Sequence, residues 1–263
     1  MKGTPSMKGL MLHCGGQLKS RDEVFSVPLP EATSSYVPLP HESLITRIEK
    51  QLRFEGVTIR DEKLALNKDG QRLFGLIQVE LPTFVGEQYG CVLGLRNSYD
   101  KSCSAGLCIG ASVFVCDNLS FHGSHINFQR RHTPNMLRDL SWIVSEAVGK
   151  LPVLFADQSR TFNTYRQTIL TDKQAHDLVI RCFDRGGLNG SDIVGVLKEW
   201  REPRHEQFNE DGKSAWRLFN AATETIKGDL WRLPVRTRAI HEVLDEECGI
   251  SSGSIQEQVA LAI

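Results

Sequence analysis

Between Val57 and Leu81 the chain holds two strand-like runs, VTIRDEKLAL and QRLFGLIQVEL, joined by Asn67-Lys68-Asp69-Gly70. This stretch constrains the fold more than any other. The Asp-Gly pair supplies the positive φ that a tight turn needs, so the runs read as a β-hairpin. Leu73, Ile77, Val79 and Leu81 share one face by two-residue alternation, with Gly75 in the same register. CVLGLRNS and LCIGASVFVCDNLSF follow as two further strands. Ahead of them, Leu44, Ile48 and Leu52 recur at four-residue spacing, with Ile45 beside them, in a helix over His41–Phe54 that Gly56 stops. One helix and four strands predict an α+β fold: an antiparallel β-meander with helices packed on one side, followed by a helical C-terminal region.

The flanks differ in character. Residues 1–40 lack sustained periodicity, and VPLPEATSSYVPLP favours extended backbone because each proline fixes φ and biases its predecessor away from helix. They read as an arm, with Phe25 and Tyr36 to dock it. After Thr133 the pattern turns helical: Pro134 suits a first turn, and Leu137, Leu140, Ile143, Val144 and Val148 form a core stripe ending at Gly149. LTDKQAHDLVIRCFDRGG reads as a helix capped by Thr171 or Asp172 and stopped by Gly186-Gly187, and residues 191–200 and 213–226 read as two more. The expected organisation is an arm over 1–40, an α+β core over 41–150, a helical region over 151–245 and a tail over 246–263.

The 263 residues suffice for a sizeable core without disulfides or metal. A formal charge of −1 excludes binding by a phosphate-blanketing basic surface, so any nucleic-acid contact must be local. The seven cysteines are odd in number and scattered. The N-terminus lacks the basic–apolar–small order of a signal peptide, and the nearly uncharged stretch 102–117 is broken by Ser and Gly. The expectation is a cytoplasmic protein with reduced thiols and no membrane span.

Candidate chemistry concentrates in RNSYDKSCSAGLCIGASVFVCDN, residues 96–118. Zinc sites use converging close pairs such as Cys-x-x-Cys, and none occurs. Cys103, Cys108 and Cys116, with His122 and His125, are a metal set by residue type alone, and their place in strands favours buried thiols. Asp117 disfavours a thiolate nucleophile at Cys116. Asn97, Ser98 and Asp100 are residues that close turns on their own backbone. Walker loop, nucleophile elbow, H-E-x-x-H and dinucleotide fingerprint are all absent, which leaves an enzyme possible but unsupported, with no cofactor indicated. Two clusters pair arginine with aromatic residues: Arg130 and Arg131 beside Phe128, and Arg236 and Arg238 near Trp231. Guanidinium forks suit phosphates, and rings stack on unpaired bases. Solvated loops whose arginine stems cover apolar surface are the plainer explanation of either cluster alone.

LRNSYDKS followed by FVCDNLSF resembles a signature of the phage-, plasmid- and prophage-borne family called domain of unknown function 932, an Asn-Ser-x-Asp-Gly turn, a strand and a Cys-x-Asn element. Asn97, Ser98 and Asp100 match the turn, and Cys116 and Asn118 the second element. Lys101 stands where the family has glycine. WRLFNAATETI and RTRAIHEVLD resemble the family's later segments. The resemblance implies a mobile-element protein and carries no activity with it. The helix–meander–helix order is similar in outline to single-strand annealing proteins, which grip single strands by their backbone. The expected function is therefore single-stranded DNA binding in recombination or replication, without catalysis. Arg96, Lys101, Arg130, Arg131, Arg236 and Arg238 would contact phosphates, and Tyr99 or Phe128 would stack. The alternatives are an anti-defence protein that binds a host defence protein and, third, a metal-dependent enzyme. A homo-oligomer is possible under each.

Overall fold

The computed structural model describes residues 16–81, 89–113, 118–210, 212–226 and 232–250. Backbone contacts divide the chain into two compact units, Met1–Asp117 with His125–Phe155, and Asn118–Ser124 with Ala156–Ile263.

The sheet is antiparallel and its strands lie in chain order: β1 (Gln17–Lys19), β2 (Thr58–Leu66), β3 (Arg72–Glu80), β4 (Tyr89–Ser98) and β5 (Ala105–Val113), all in the first unit, and β6 (Asn118–Arg130), whose residues from His125 belong to that unit. The fold is α+β, as the alternation predicted. The β2–β3 hairpin closes on Gly70, at φ 69°, whose N–H donates to the Asn67 carbonyl, while the Asn67 side chain accepts from Arg72 N–H. Register aligns Leu64, Gly75, Leu95 and Leu107 across four strands, and beside them Glu62, Ile77, Leu93 and Ile109. The row works because Gly75 has no side chain: a Cβ there would lie 2.7 Å from Leu95 Cγ and 3.0 Å from Leu64 Cδ2.

Two helices of this unit pack on each other, α2 (His41–Phe54) and α3 (Pro134–Gly149). They bury Leu44, Ile45, Ile48 and Leu52 from one, and Met136, Leu140, Ile143, Val144, Ala147 and Val148 from the other. Met136 takes the stripe position expected of Leu137, which is 44% exposed. Three-four spacing back from Leu140 reaches both residues, and the helix entry selects Met136.

Two other expectations are corrected. The sheet has six strands rather than four, because the run over 107–121 belongs to two strands, β5 and the start of β6, and the arm adds β1. The arm is not all extended: β1 pairs with β2, and a short helix, α1 (Arg21–Phe25), follows under a capping box between Ser20 and Glu23. Arg21 then bridges Glu49 of α2 and Glu62 of β2 at 2.7 Å each.

The second unit is helical: most of α4 (Leu151–Gln167), then α5 (Asp172–Asp184), α6 (Gly190–Arg201), α7 (Gln207–Glu210), α8 (Ala215–Ile226) and α9 (Leu233–Glu247). Thr171 caps α5, and Gly186 follows that helix at φ 76°. α8 is buried almost all round and packs against α6 and α9. The Phe162 ring sits 4.7 Å from Trp216 and 5.5 Å from Phe219. The Arg217 guanidinium donates to the Trp200 and Arg201 carbonyls, satisfying the C-terminal end of α6. No described helix is long and apolar enough to cross a membrane.

Gly75→Ala is expected to destabilise the protein by roughly 1–3 kcal/mol, the usual range for overpacking a filled core. A lower urea midpoint with unchanged slope is the measurement that checks it.

Candidate nucleic-acid interface

At the turn end of the sheet, β4 finishes on two fully buried polar residues, Asn97 and Ser98. Asn97 Nδ2 donates to the Leu39 carbonyl at 2.7 Å and faces His41 Nδ1 at 2.9 Å, while His132 Nε2 lies 2.7 Å from Asn97 Oδ1. A carbonyl only accepts, which fixes the amide orientation and with it both tautomers. His41 Nδ1 accepts, and His132 Nε2 donates. The His41 ring stacks on Tyr99 at 3.9 Å, and its backbone N–H donates to the Tyr99 hydroxyl. Tyr36 Oη donates to the Tyr99 carbonyl, and the Tyr36 ring tilts against His132 at 5.6 Å. One amide therefore ties the arm, the start of α2, the β4–β5 turn and the β6–α3 connection together.

The turn itself closes on its own side chains. Ser98 Oγ accepts from Cys103 N–H and donates to the Cys103 carbonyl, while Asp100 accepts from Ser102 N–H and from Arg72 Nε. Lys101 adopts φ 63°, the left-handed conformation that suits glycine, and lays its ammonium 4.6 Å over the Tyr36 ring. This is the position where the resembled signature has glycine.

The named basic residues divide sharply. Lys101, Arg130 and Arg131 are exposed. Arg96 is half-buried, and its side chain lies over Gly106 on the row that leads across to Phe128 of β6. Lys101 reaches His132 through Tyr36, and Arg131 is the neighbour of His132. Lys101 and the Arg130–Arg131 pair thus flank the same Tyr36–His132 contact. Phe128, 7% exposed, and Tyr99, 5% exposed and covered by His41, are not stacking platforms as expected. Ring burial in the core removed them from solvent. In the second unit Arg236 is also corrected: it is buried, donating to the Gly187 carbonyl and to Asp192, so it holds the α5–α6 connection. Arg238 is exposed but paired with Glu242 at 2.8 Å.

Among the described residues no group of three His, Cys, Asp or Glu side chains could hold a metal. Cys108 Sγ donates to the Gly94 carbonyl, and burial pushes its thiol up to about 12; burial also raises Cys103. The residue Cys116 and the side chains of Asn118, His122 and His125 lie outside the described residues. The second unit carries its own buried polar cluster: Tyr165 Oη donates to Asp245 at 2.6 Å and lies 2.9 Å from His241 Nδ1. Burial first, then the Asp245 charge, raises the Tyr165 hydroxyl far above its ordinary value. Neither Tyr165 nor His241 is open to a substrate, since both are buried. No protein-family model matches the chain, and no curated protein or solved structure matches it.

Two outcomes are expected from the Asn97 network. Asn97→Ala strands three buried polar partners and should cost roughly 2–5 kcal/mol, read from denaturant unfolding. Burial lowers His41 from its usual 6.5 to about 4, against a smaller opposing effect of the Gly70 backbone. Between those values the unfolded chain binds a proton that the folded one does not. Stability is therefore full above about pH 6.5 and falls as pH drops toward 4, by up to roughly 3 kcal/mol from this group. Urea midpoints across that range measure the slope, and a midpoint flat from pH 6.5 to 4.5 would contradict it.

Proposed function

We propose that the chain is a non-catalytic mobile-element protein that grips the backbone of single-stranded nucleic acid through Lys101, Arg130 and Arg131. The observation that carries this reading is that exposed Lys101 and the exposed Arg130–Arg131 pair flank one buried network, Lys101 through Tyr36 and Arg131 through its neighbour His132. Elsewhere in this unit Arg21, Arg53, Arg60, Arg72 and Arg138 each lie against a carboxylate. A local basic end on a chain of net charge −1 suits a strand held by few phosphates rather than a blanketed duplex. The signature-like turn at Asn97–Asp100 supports the mobile-element setting, and the free thiols of Cys91, Cys103, Cys108, Cys182 and Cys248 accord with the cytoplasm.

Titration with a fluorescent oligo-dT at two salt concentrations tests the reading. Affinity is expected to fall steeply with salt, and replacing Lys101, Arg130 and Arg131 together by Ala should flatten the logarithmic slope by about 2, at ~0.7 for each phosphate contact on a single strand. Absence of binding at low salt, or a triple variant with the wild-type slope, would sink it.

A further inference from the structure

Trp142 is 63% exposed on α3, whereas Trp200 and Trp216 are fully buried. Trp is a residue that proteins bury on average, so an indole held mostly in water on a rigid helix is the informative exception. Its place on the helix is determined by the core stripe. Met136, Leu140, Ile143, Val144, Ala147 and Val148 face inward, which turns Arg138, Ser141 and Trp142 to solvent. Arg138 and Trp142 are four apart, one turn along the same face. The helix begins three residues after Arg131, and Arg130 is close enough to Asp139 for its charge to help hold that carboxyl below its ordinary range, after the larger effect of Arg138. The face therefore runs from the basic end of the sheet to the indole.

Along α3 the charges balance in pairs, which leaves Arg130 and Arg131 at its head as the cations a polyanion would meet. Asp139 is bound by Arg138 at 2.7 Å, and Glu146, one turn beyond Trp142, is bound by Lys150 at 2.7 Å. Both carboxylates are neutralised by neighbours, while Arg130 and Arg131 are exposed just ahead of the helix.

We infer that Trp142 is a base-stacking residue, extending the phosphate grip of Arg130 and Arg131 along α3 to the unpaired bases of the same strand. The inference rests on the single-strand reading above and supplies the aromatic platform that the buried Phe128 and Tyr99 cannot. Every base has a π-face, so a single indole adds affinity without sequence choice.

The experiment is an oligo-dT titration of the wild type, Trp142→Ala, Trp142→Phe and the Arg130→Ala/Arg131→Ala pair, each at two salt concentrations. Trp142→Ala is expected to weaken binding roughly 5- to 100-fold, the effect of one lost stack, with the salt slope unchanged because no charge is removed. Trp142→Phe should recover part of the affinity while abolishing the quenching of tryptophan emission that the strand causes in the wild type. The arginine pair should flatten the slope instead. An exposed position spares the fold, and superimposable thermal melts check that. Wild-type affinity in Trp142→Ala, with the arginine effect intact, overturns this inference and leaves the phosphate reading standing. Failure of the wild type to bind overturns both. Unchanged strand affinity in Trp142→Ala, together with loss of a dimer in sedimentation, would assign the indole to a second copy and likewise overturn the stacking role.

Discussion

The Asn97 side chain is the constraint on which the first unit's arrangement depends. It is fully buried at the end of a core strand, and its two N–H donors and its acceptor oxygen meet Leu39, His41 and His132. A polar group in such a place is costly unless satisfied, so the segments carrying its partners must lie where they do. Hydrophobic burial alone would hold the arm loosely, since apolar contact is not directional. The amide gives it one register. Protonating His41 would set a donor against the amide N–H, and burial keeps that imidazole neutral well below its usual pKa.

This buried polar node has a consequence at the surface. The chain leaving Asn97 turns through Lys101, and the chain arriving at His132 comes through Arg130 and Arg131. Satisfying the amide therefore fixes the segments that carry three exposed cations, in a molecule without net positive charge. Lys101 accepts a left-handed backbone there, and its ammonium rests on the Tyr36 ring rather than on a carboxylate. The candidate interface is thus a by-product of how the interior is hydrogen-bonded, with α3 carrying its face onward to Trp142.

Much of this was legible in the chain, for local reasons. The Asp69-Gly70 turn, the alternation in β3 and the four-residue spacing in α2 each report a period that the backbone imposes. Helix α1 left a local signal in the Ser20-x-x-Glu23 capping box, but the reading of residues 1–40 as an extended arm passed over it. Helix α4 was harder to read, because buried Gln158 and Thr161 interrupt its apolar stripe. Trp142 carried no signal of its own: on a helix of period 3.6, one step of phase decides whether an indole lies in the core or in water.

The sequence by itself determined the α+β class, the order of the meander, most helix boundaries and the residues of the turn, since periodicity, caps and turn chemistry act over a few residues. Only the tertiary structure decided which aromatic and basic side chains remain available. Phe128, Tyr99 and Arg236 matched a binding pattern in type and spacing, yet burial and buried hydrogen bonds claimed them. Lys101 and Arg131 are thirty residues apart, and the contact of Tyr36 with His132 links the segments that carry them. Availability depends on what packs over a residue from distant parts of the chain, and one-dimensional spacing does not encode that.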